Sequence, residues 1–344
     1  MNMITRVLFC AALTLGCSPS FAATRYIAYV GTYTGGPNDS KGIYGLQLDD
    51  GKLKSLGVAA EVASPSFLAT DSKNRFLYAV TERTAKGDPT GYLSSYAIDP
   101  ATGALRFLNR VPAEGRTSAH LIVDRTNRWL MVANYGSGSV ASFALNPDGS
   151  IGKMADFHQH SGSSADLRRQ KGPHPHEVVM SPDNRFLIVP DLGVDKVYSY
   201  RLDTATGKLT LNESGSATLP PAFGPRHLRF GKSGKFAYVL GEMSSKVITL
   251  SYDAARGKLT PIQTISTIPA DFKDEDNSGE LALDSSGRFL YASNRGHDSV
   301  TLFSIDARTG LLKLEQIGPS GGKIPRNIAL DPSTVSPKAP STVP

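Results

Sequence analysis

The chain has 344 residues, a formal net charge of +6 and 40% apolar residues, enough to build a sizeable hydrophobic core. Its basic residues are dispersed along the sequence, which argues against a nucleic-acid-binding surface. Both cysteines, Cys10 and Cys17, fall in the first 22 residues, so the chain beyond them offers no disulfide, thiolate metal site or cysteine nucleophile.

In chain order, residues 1–22 read as a secretory signal. Arg6 supplies the charged start, Val7 to Gly16 the apolar stretch, and Ser20-Phe21-Ala22 a cleavage site after Ala22. The stretch is too short to span a membrane, and the expectation is an exported, periplasmic protein. Leu15-Gly16-Cys17 faintly resembles a lipoprotein box, and lipidation is the lesser alternative.

From Tyr26 onward one strand grammar returns six times. Ile27 in YIAYVGT, Phe76 in RFLYAVTE, Trp129 in RWLMVANY, Phe186 in RFLIVPDL, Phe236 in KFAYVLGE and Phe289 in RFLYASNR stand 49 to 57 residues apart. Full copies of the unit begin near Pro65, Ser118, Pro175, Pro225 and Ser278. Each holds four short runs rich in Val, Ile, Leu, Phe and Tyr. The turn signals DSKN, SPDN, GKSG and DSSG separate the first two runs, and TGA, TGK, RGK and TGL the last two. No stretch after residue 24 sustains a helical period. Four antiparallel strands repeated at this interval make a β-propeller blade.

A seventh repeat opens at Pro325-Arg326-Asn327-Ile328 and gives way at Ser336 to the proline-rich tail STVSPKAPSTVP. The spacing therefore predicts an all-β propeller of six or seven blades over residues 23–331, with this last repeat as a seventh blade cut to one strand. Residues 332–344 are expected to be a disordered or non-native tail. Blade one, residues 25–61, would lack its inner strand and expose an edge.

Propeller geometry then selects candidates for function. The start of each inner strand and the end of each second strand lie on one face of the disc. That face receives His176, Arg226 and Arg326, then His120, Glu177, His227, Glu280 and Asn327, and finally Glu82, Asn134, Asp191, Glu242, Asn294 and Arg295. Convergent titratable groups in a concavity are an active-site signature. In KGPHPHE, prolines hold the segment extended, so that His174 and His176 are expected to point the same way. One of them could be a general base or an oxyanion donor, could ligate a metal with Asp191 or Glu242, or could satisfy backbone groups where a strand begins. Arg226 in GPRHL and Arg295 in SNRGHDS could pair with carboxylates of neighbouring blades or hold an anionic substrate. His158 and His160, between blades, are expected at the surface.

The motifs GTYT, SKGIY, SPSFL, ANYGSGSV, KGPHPHEV, VPDLGVDKV, GPRHL and SNRGHDSV, from about Tyr26 to Asp331, resemble the seven-bladed propeller lactonase family. The resemblance implies lactone hydrolysis on a sugar acid, as in 6-phosphogluconolactonase, with no cofactor or essential metal and with a monomer as the expected form. A cyclising relative implies joint roles for a histidine, a glutamate and two arginines, which fall here on His176 (or His174), Glu242, Arg226 and Arg295. Asp191, Asn294, His227, Glu280 and Arg326 are the expected substrate-binding residues. Alternatives from other classes are a binding propeller without chemistry, a lactonising cycloisomerase and a metal-dependent gluconolactonase.

Overall fold

A computed structural model describes residues 26–36, 40–49, 51–83 and 90–332. The expected signal sequence and most of the expected tail lie outside the described residues. Those described form six antiparallel sheets and a single 3₁₀ turn, Glu213–Gly215. Blade one holds Tyr26–Gly31, Gly42–Asp49 and Lys52–Glu61. Blades two, three, five and six have four strands each, with inner strands Leu68–Thr70, Ser118–Val123, Pro225–Phe230 and Ser278–Leu283. In blade four the inner strand is the short Val179–Met180, and Ala217–Thr218 pairs with the third strand beyond the end of the fourth.

The second strand of a blade is covered on both faces by its neighbours. Trp129–Asn134 and Phe186–Asp191 are buried at every residue, so they read as continuous apolar runs. The outermost strands, such as Lys258–Ser266, show mostly exposed residues, and there the sequence alternates. After the inner strand an acidic residue fixes the turn. Asp124 Oδ1 accepts the backbone N–H groups of Arg128 and Trp129, each at 2.9 Å. Asp71 and Asp284 accept the corresponding N–H groups of Phe76 and Phe289. Asn74, Asn127 and Asn184 take the left-handed position of that turn (φ 53°, 58° and 61°), where Asn is tolerated.

The aromatic that marks each repeat has a packing role that explains the period. The tight turn between the third and fourth strands of one blade seats its glycine on the first residue of the second strand of the blade before. Gly207 lies against Trp129, where a Cβ would come within 2.3 Å of the indole ring, and its φ of 76° also disfavours any other residue. The same contact joins Gly103 to Ile27, Gly149 to Phe76, Gly257 to Phe186 and Gly310 to Phe236. Side chains reinforce the joints: Trp129 Nε1 donates to Thr204 O at 2.9 Å and Tyr238 Oη to Gly310 O at 3.0 Å.

The seventh blade expected from the spacing is not present among the described residues, where the sheets number six. No strand forms over Pro325–Asp331. An inner strand is held by the ladder to its blade's second strand, and among the described residues no strand pairs with this segment. The segment is fastened through side chains instead. Asn327 Nδ2 donates to Glu280 Oε2 at 2.7 Å, and Ile324 N donates to Asp298 Oδ1 at 2.7 Å. It runs so close to blade six that a Cβ on Gly279 would meet Pro325 O at 2.7 Å. None of the described helices is long and apolar enough to cross a membrane.

Candidate active site

Where the second strands end and the inner strands begin, the blades surround a cavity of about 340 Å³, at the small end of ligand pockets. It is lined by Tyr33 of blade one, Glu82 and Arg83 of blade two, Thr117, Ala119 and Tyr135 of blade three, Arg169 and His176 before blade four, Glu242 after the second strand of blade five, Asn277 and Arg295 of blade six, and Arg326.

Glu242 is the hub. Its Oε1 accepts Arg169 Nη2 at 2.6 Å, and its Oε2 accepts Arg295 Nη2 at 2.8 Å and Arg226 Nη1 at 3.2 Å. Burial alone would raise its carboxyl pKa, but the charges of Arg226 and Arg295 and the hydrogen bond from Arg169 overcome burial and hold it well below the usual range. Arg226 is buried under the pocket. Burial brings it down to about 10, so it stays charged at neutral pH. Its Nε donates to Gly279 O at 2.5 Å, and its Nη1 donates to His176 Nε2. Burial, then the Arg226 charge, pushes His176 well below the ordinary imidazole range, so the ring is neutral at pH 7. His176 Nε2 is also 3.9 Å from Glu242 Oε2.

Of the residues expected from sequence, His176, Glu242, Arg226, Arg295 and Arg326 therefore meet in or directly beneath the pocket. His174 does not line it. Its ring stacks on Tyr135 at 4.5 Å between centroids and its Nδ1 lies 2.8 Å from Tyr135 O. The His176 ring also meets Tyr135, edge-on at 5.4 Å between centroids, as residues two apart in extended backbone share a side, but of the two only His176 lines the pocket. Asp191 is not placed to bind substrate. It is wholly buried, accepts His174 N at 2.6 Å and Gly193 N at 3.0 Å, and pairs with His160 Nδ1 at 2.6 Å. That pair overturns the surface position expected for His160, whose Nε2 also meets Tyr200 Oη at 2.9 Å. His158 is partly exposed and sits 3.2 Å from Asp156 Oδ2.

Asn294 is likewise buried and structural: it accepts Ser278 Oγ at 3.3 Å and donates to Thr267 O at 2.9 Å. Asn134 repeats this arrangement in blade three with Ser118 and Ala113. His227 and Glu280 lie outside the pocket lining, in a buried channel network. His227 Nδ1 is 2.8 Å from Glu280 Oε1, and Arg229 bridges Glu280 and Glu177. Glu177 also faces His120 at 3.3 Å. Burial opposes its charge, but Arg229 and the two histidines bring it down to about 2. Among the described residues no cluster of three or more His, Cys, Asp and Glu is arranged to hold a metal.

Sequence reasoning missed Tyr33, Arg83, Tyr135, Arg169 and Asn277. Arg169 had a signal. It lies in the insertion that makes the Trp129–Phe186 interval the longest of the five. Tyr33 and Tyr135 each follow closely on the end of a second strand, a position the rim geometry already favoured.

The model of a family described as "Lactonase, 7-bladed beta-propeller" matches residues 27–335. The chain belongs to the propeller lactonase family. A 6-phosphogluconolactonase of Bacillus subtilis is 37% identical over 312 residues, covering 90% of this chain and 86% of that protein. A 6-phosphogluconolactonase of Formosa agariphila is 30% identical, over 89% and 86% of the two chains. Among solved structures, the periplasmic gluconolactonase of Pseudomonas aeruginosa superposes with a TM-score of 0.84 at 34% identity, over 90% of this chain and 87% of that one. The family is defined with seven blades, whereas six are formed by the residues described here.

Proposed function

We propose that this chain hydrolyses the δ-lactone of a sugar acid in the pocket around Glu242. The observation that carries the reading is a buried carboxylate held by three guanidinium groups beside a neutral histidine, with Glu242, Arg169, Arg295 and His176 lining one small cavity and Arg226 beneath it. A lactone carbonyl attacked by water develops negative charge on its oxygen. Arg295 and Arg169, fixed by Glu242, present N–H groups to stabilise that charge. His176 takes the proton of the attacking water. Arg226, which donates to the imidazole, already has Glu242 Oε2 as a second acceptor at 3.2 Å, so it can release the ring nitrogen as the proton arrives. The tetrahedral intermediate then collapses, the ring C–O bond breaks, and the departing alkoxide recovers the proton from His176. The product is an open-chain hydroxy acid that releases a proton at neutral pH.

Glu242 is not the base, because both of its oxygens are taken by guanidinium groups; its part is to orient them. We read residues 1–22 as an export leader, and the relation to a periplasmic gluconolactonase supports an unphosphorylated aldonolactone as substrate.

A pH-stat assay with δ-gluconolactone tests the reading. Proton release should exceed the spontaneous rate, stay level from pH 6 to 8 because His176 is already neutral there, and fall at least about 100-fold in His176→Ala. An undiminished rate in that variant, or no release above background in the wild type, would overturn it.

A further inference from the structure

The part of the pocket across from Glu242 is built differently from the rest. Tyr33 follows the second strand of blade one, and Glu82 and Arg83 follow that of blade two, three blades round from Glu242. Two guanidinium groups lie over the Tyr33 ring, Arg83 at 4.3 Å and Arg326 at 5.5 Å from its centroid. Glu82 is the acidic group beside them. Its Oε2 accepts Tyr33 Oη at 2.8 Å, which leaves Oε1 facing Arg326 at 3.9 Å, the outer limit of an ion pair. Among the described residues Arg83 has no carboxylate partner. The contrast with Arg226, Arg169 and Arg295, all committed to Glu242, is direct.

We propose that Arg83, Tyr33 and Arg326 form a second anion subsite, which selects lactones carrying a further, singly charged acidic group at the end remote from the reacting carbonyl. Two arginines against one glutamate leave one positive charge there. That balance suits a carboxylate, as in the lactone of an aldaric acid, better than a doubly charged phosphate. Arg326, 38% exposed, can turn from its long contact with Glu82 to the ligand, and Glu82, 11% exposed, then keeps the Tyr33 hydroxyl as its donor. The Tyr33 hydroxyl stays protonated, burial and Glu82 having pushed it up to about 12, and so keeps Glu82 anchored while the arginines engage. Asn327, tied to Glu280, is the positioning residue that brings Arg326 to the pocket.

The inference rests on the proposed lactonase site, so its test reads binding rather than turnover. Titration calorimetry on the full chain compares gluconate, glucarate and 6-phosphogluconate, none of which can react further by hydrolysis. Glucarate should bind about tenfold more tightly than gluconate, as expected for one added charge-assisted contact, and more tightly than 6-phosphogluconate. The glucarate-to-gluconate ratio should fall toward one in Arg326→Ala and in Arg83→Ala, and Arg326→Lys should restore part of it. Arg83 and Arg326 lie on separate segments, so a folding defect in one variant leaves the other to decide. Equal binding of glucarate and gluconate, or a ratio unchanged in both alanine variants, would overturn the subsite and leave lactone hydrolysis at His176 standing. Preference for 6-phosphogluconate would overturn the single-charge assignment. Failure of every acid to bind, together with no hydrolysis, would remove both proposals.

Discussion

Replacing Glu242 by glutamine removes one charge while keeping the shape of the side chain. The wild-type carboxylate is 6% exposed and faces guanidinium groups at 2.6, 2.8 and 3.2 Å. In the variant Arg226, 3% exposed, keeps its charge without a carboxylate. Breaking a buried pair in this way costs about 3–5 kcal/mol. The contribution of Arg169, 38% exposed, is discounted to roughly 0–1 kcal/mol because water can replace its partner. The amide oxygen also still accepts one N–H. A loss of about 3 kcal/mol at pH 7 is expected. The pH dependence gives the sharper test. Folding depresses the Glu242 pKa below its ordinary value of 4.5. The stabilisation is therefore complete above the unfolded value and is lost as pH falls toward the folded one. Urea titrations should show a constant gap between wild type and Glu242→Gln from pH 8 to about 5.5. Below about 4.5 the gap should narrow by about 1.4 kcal/mol per pH unit. A variant as stable as wild type at pH 7, or a gap that persists unchanged to pH 3.5, would refute the account of Glu242 as the electrostatic hub.

Asp191→Ala should lower stability by about 3 kcal/mol, because a buried histidine and two backbone N–H groups lose their acceptor; thermal unfolding with and without gluconate checks this. A normal melting temperature with weakened ligand binding would instead restore Asp191 to the substrate-binding role expected from sequence. Gly207→Ala should cost roughly 2–4 kcal/mol, from about 1 kcal/mol of left-handed backbone strain and about 1–3 kcal/mol of overpacking against Trp129. Gly51 has a similar φ of 72° with nothing near its Cβ position, so Gly51→Ala should show the backbone part alone. Equal chemical-denaturation midpoints for the two variants would show that the glycine seat on Trp129 contributes nothing to joining the blades.

The propeller was legible because its marker residue does the same packing work each time. Ile27, Phe76, Trp129, Phe186 and Phe236 each receive a turn glycine from the next blade, so the period in sequence is the repeat of a contact. Among the described residues no turn glycine is seated on Phe289, and there the regularity that predicted a seventh blade stops. The rim was legible for the same reason: equivalent positions in each repeat gave Glu242, His176, Arg226, Arg295 and Arg326. Position alone could not tell a side chain aimed at the pocket from one turned between blades. Asn294 and Asp191 occupy rim positions yet bond to neighbouring loops. A clue did exist for Asn294, since the pair Ser278 and Asn294 repeats Ser118 and Asn134 at the same spacing, as structural pairs do. Arg169 stands on an insertion outside the repeat, where periodicity carries no information.

The contiguity of the blades bears on whether the pocket can hold catalytic geometry. Five glycine seats run without a break from blade one to blade six, and three of them join the blades that supply Tyr135, Arg169, His176, Glu242 and Arg295. Blade one shows no inner strand among the described residues, and an unpaired sheet edge is a place where a fold yields. Any loosening between blade six and blade one falls outside the joint between blades five and six that carries Glu242 and Arg295. The groups that cross that side at the pocket are Arg326, Glu82 and Tyr33, the components of the proposed second subsite. The arginines proposed to stabilise the oxyanion thus stand on the continuous arc, where the positional accuracy that catalysis requires is best supported. The group that contacts the remote end of the substrate stands where small displacements cost least. A ligand whose acidic group engages Arg326 would draw the two edges together, so binding at the second subsite should tighten the side of the ring that the strand ladders leave open.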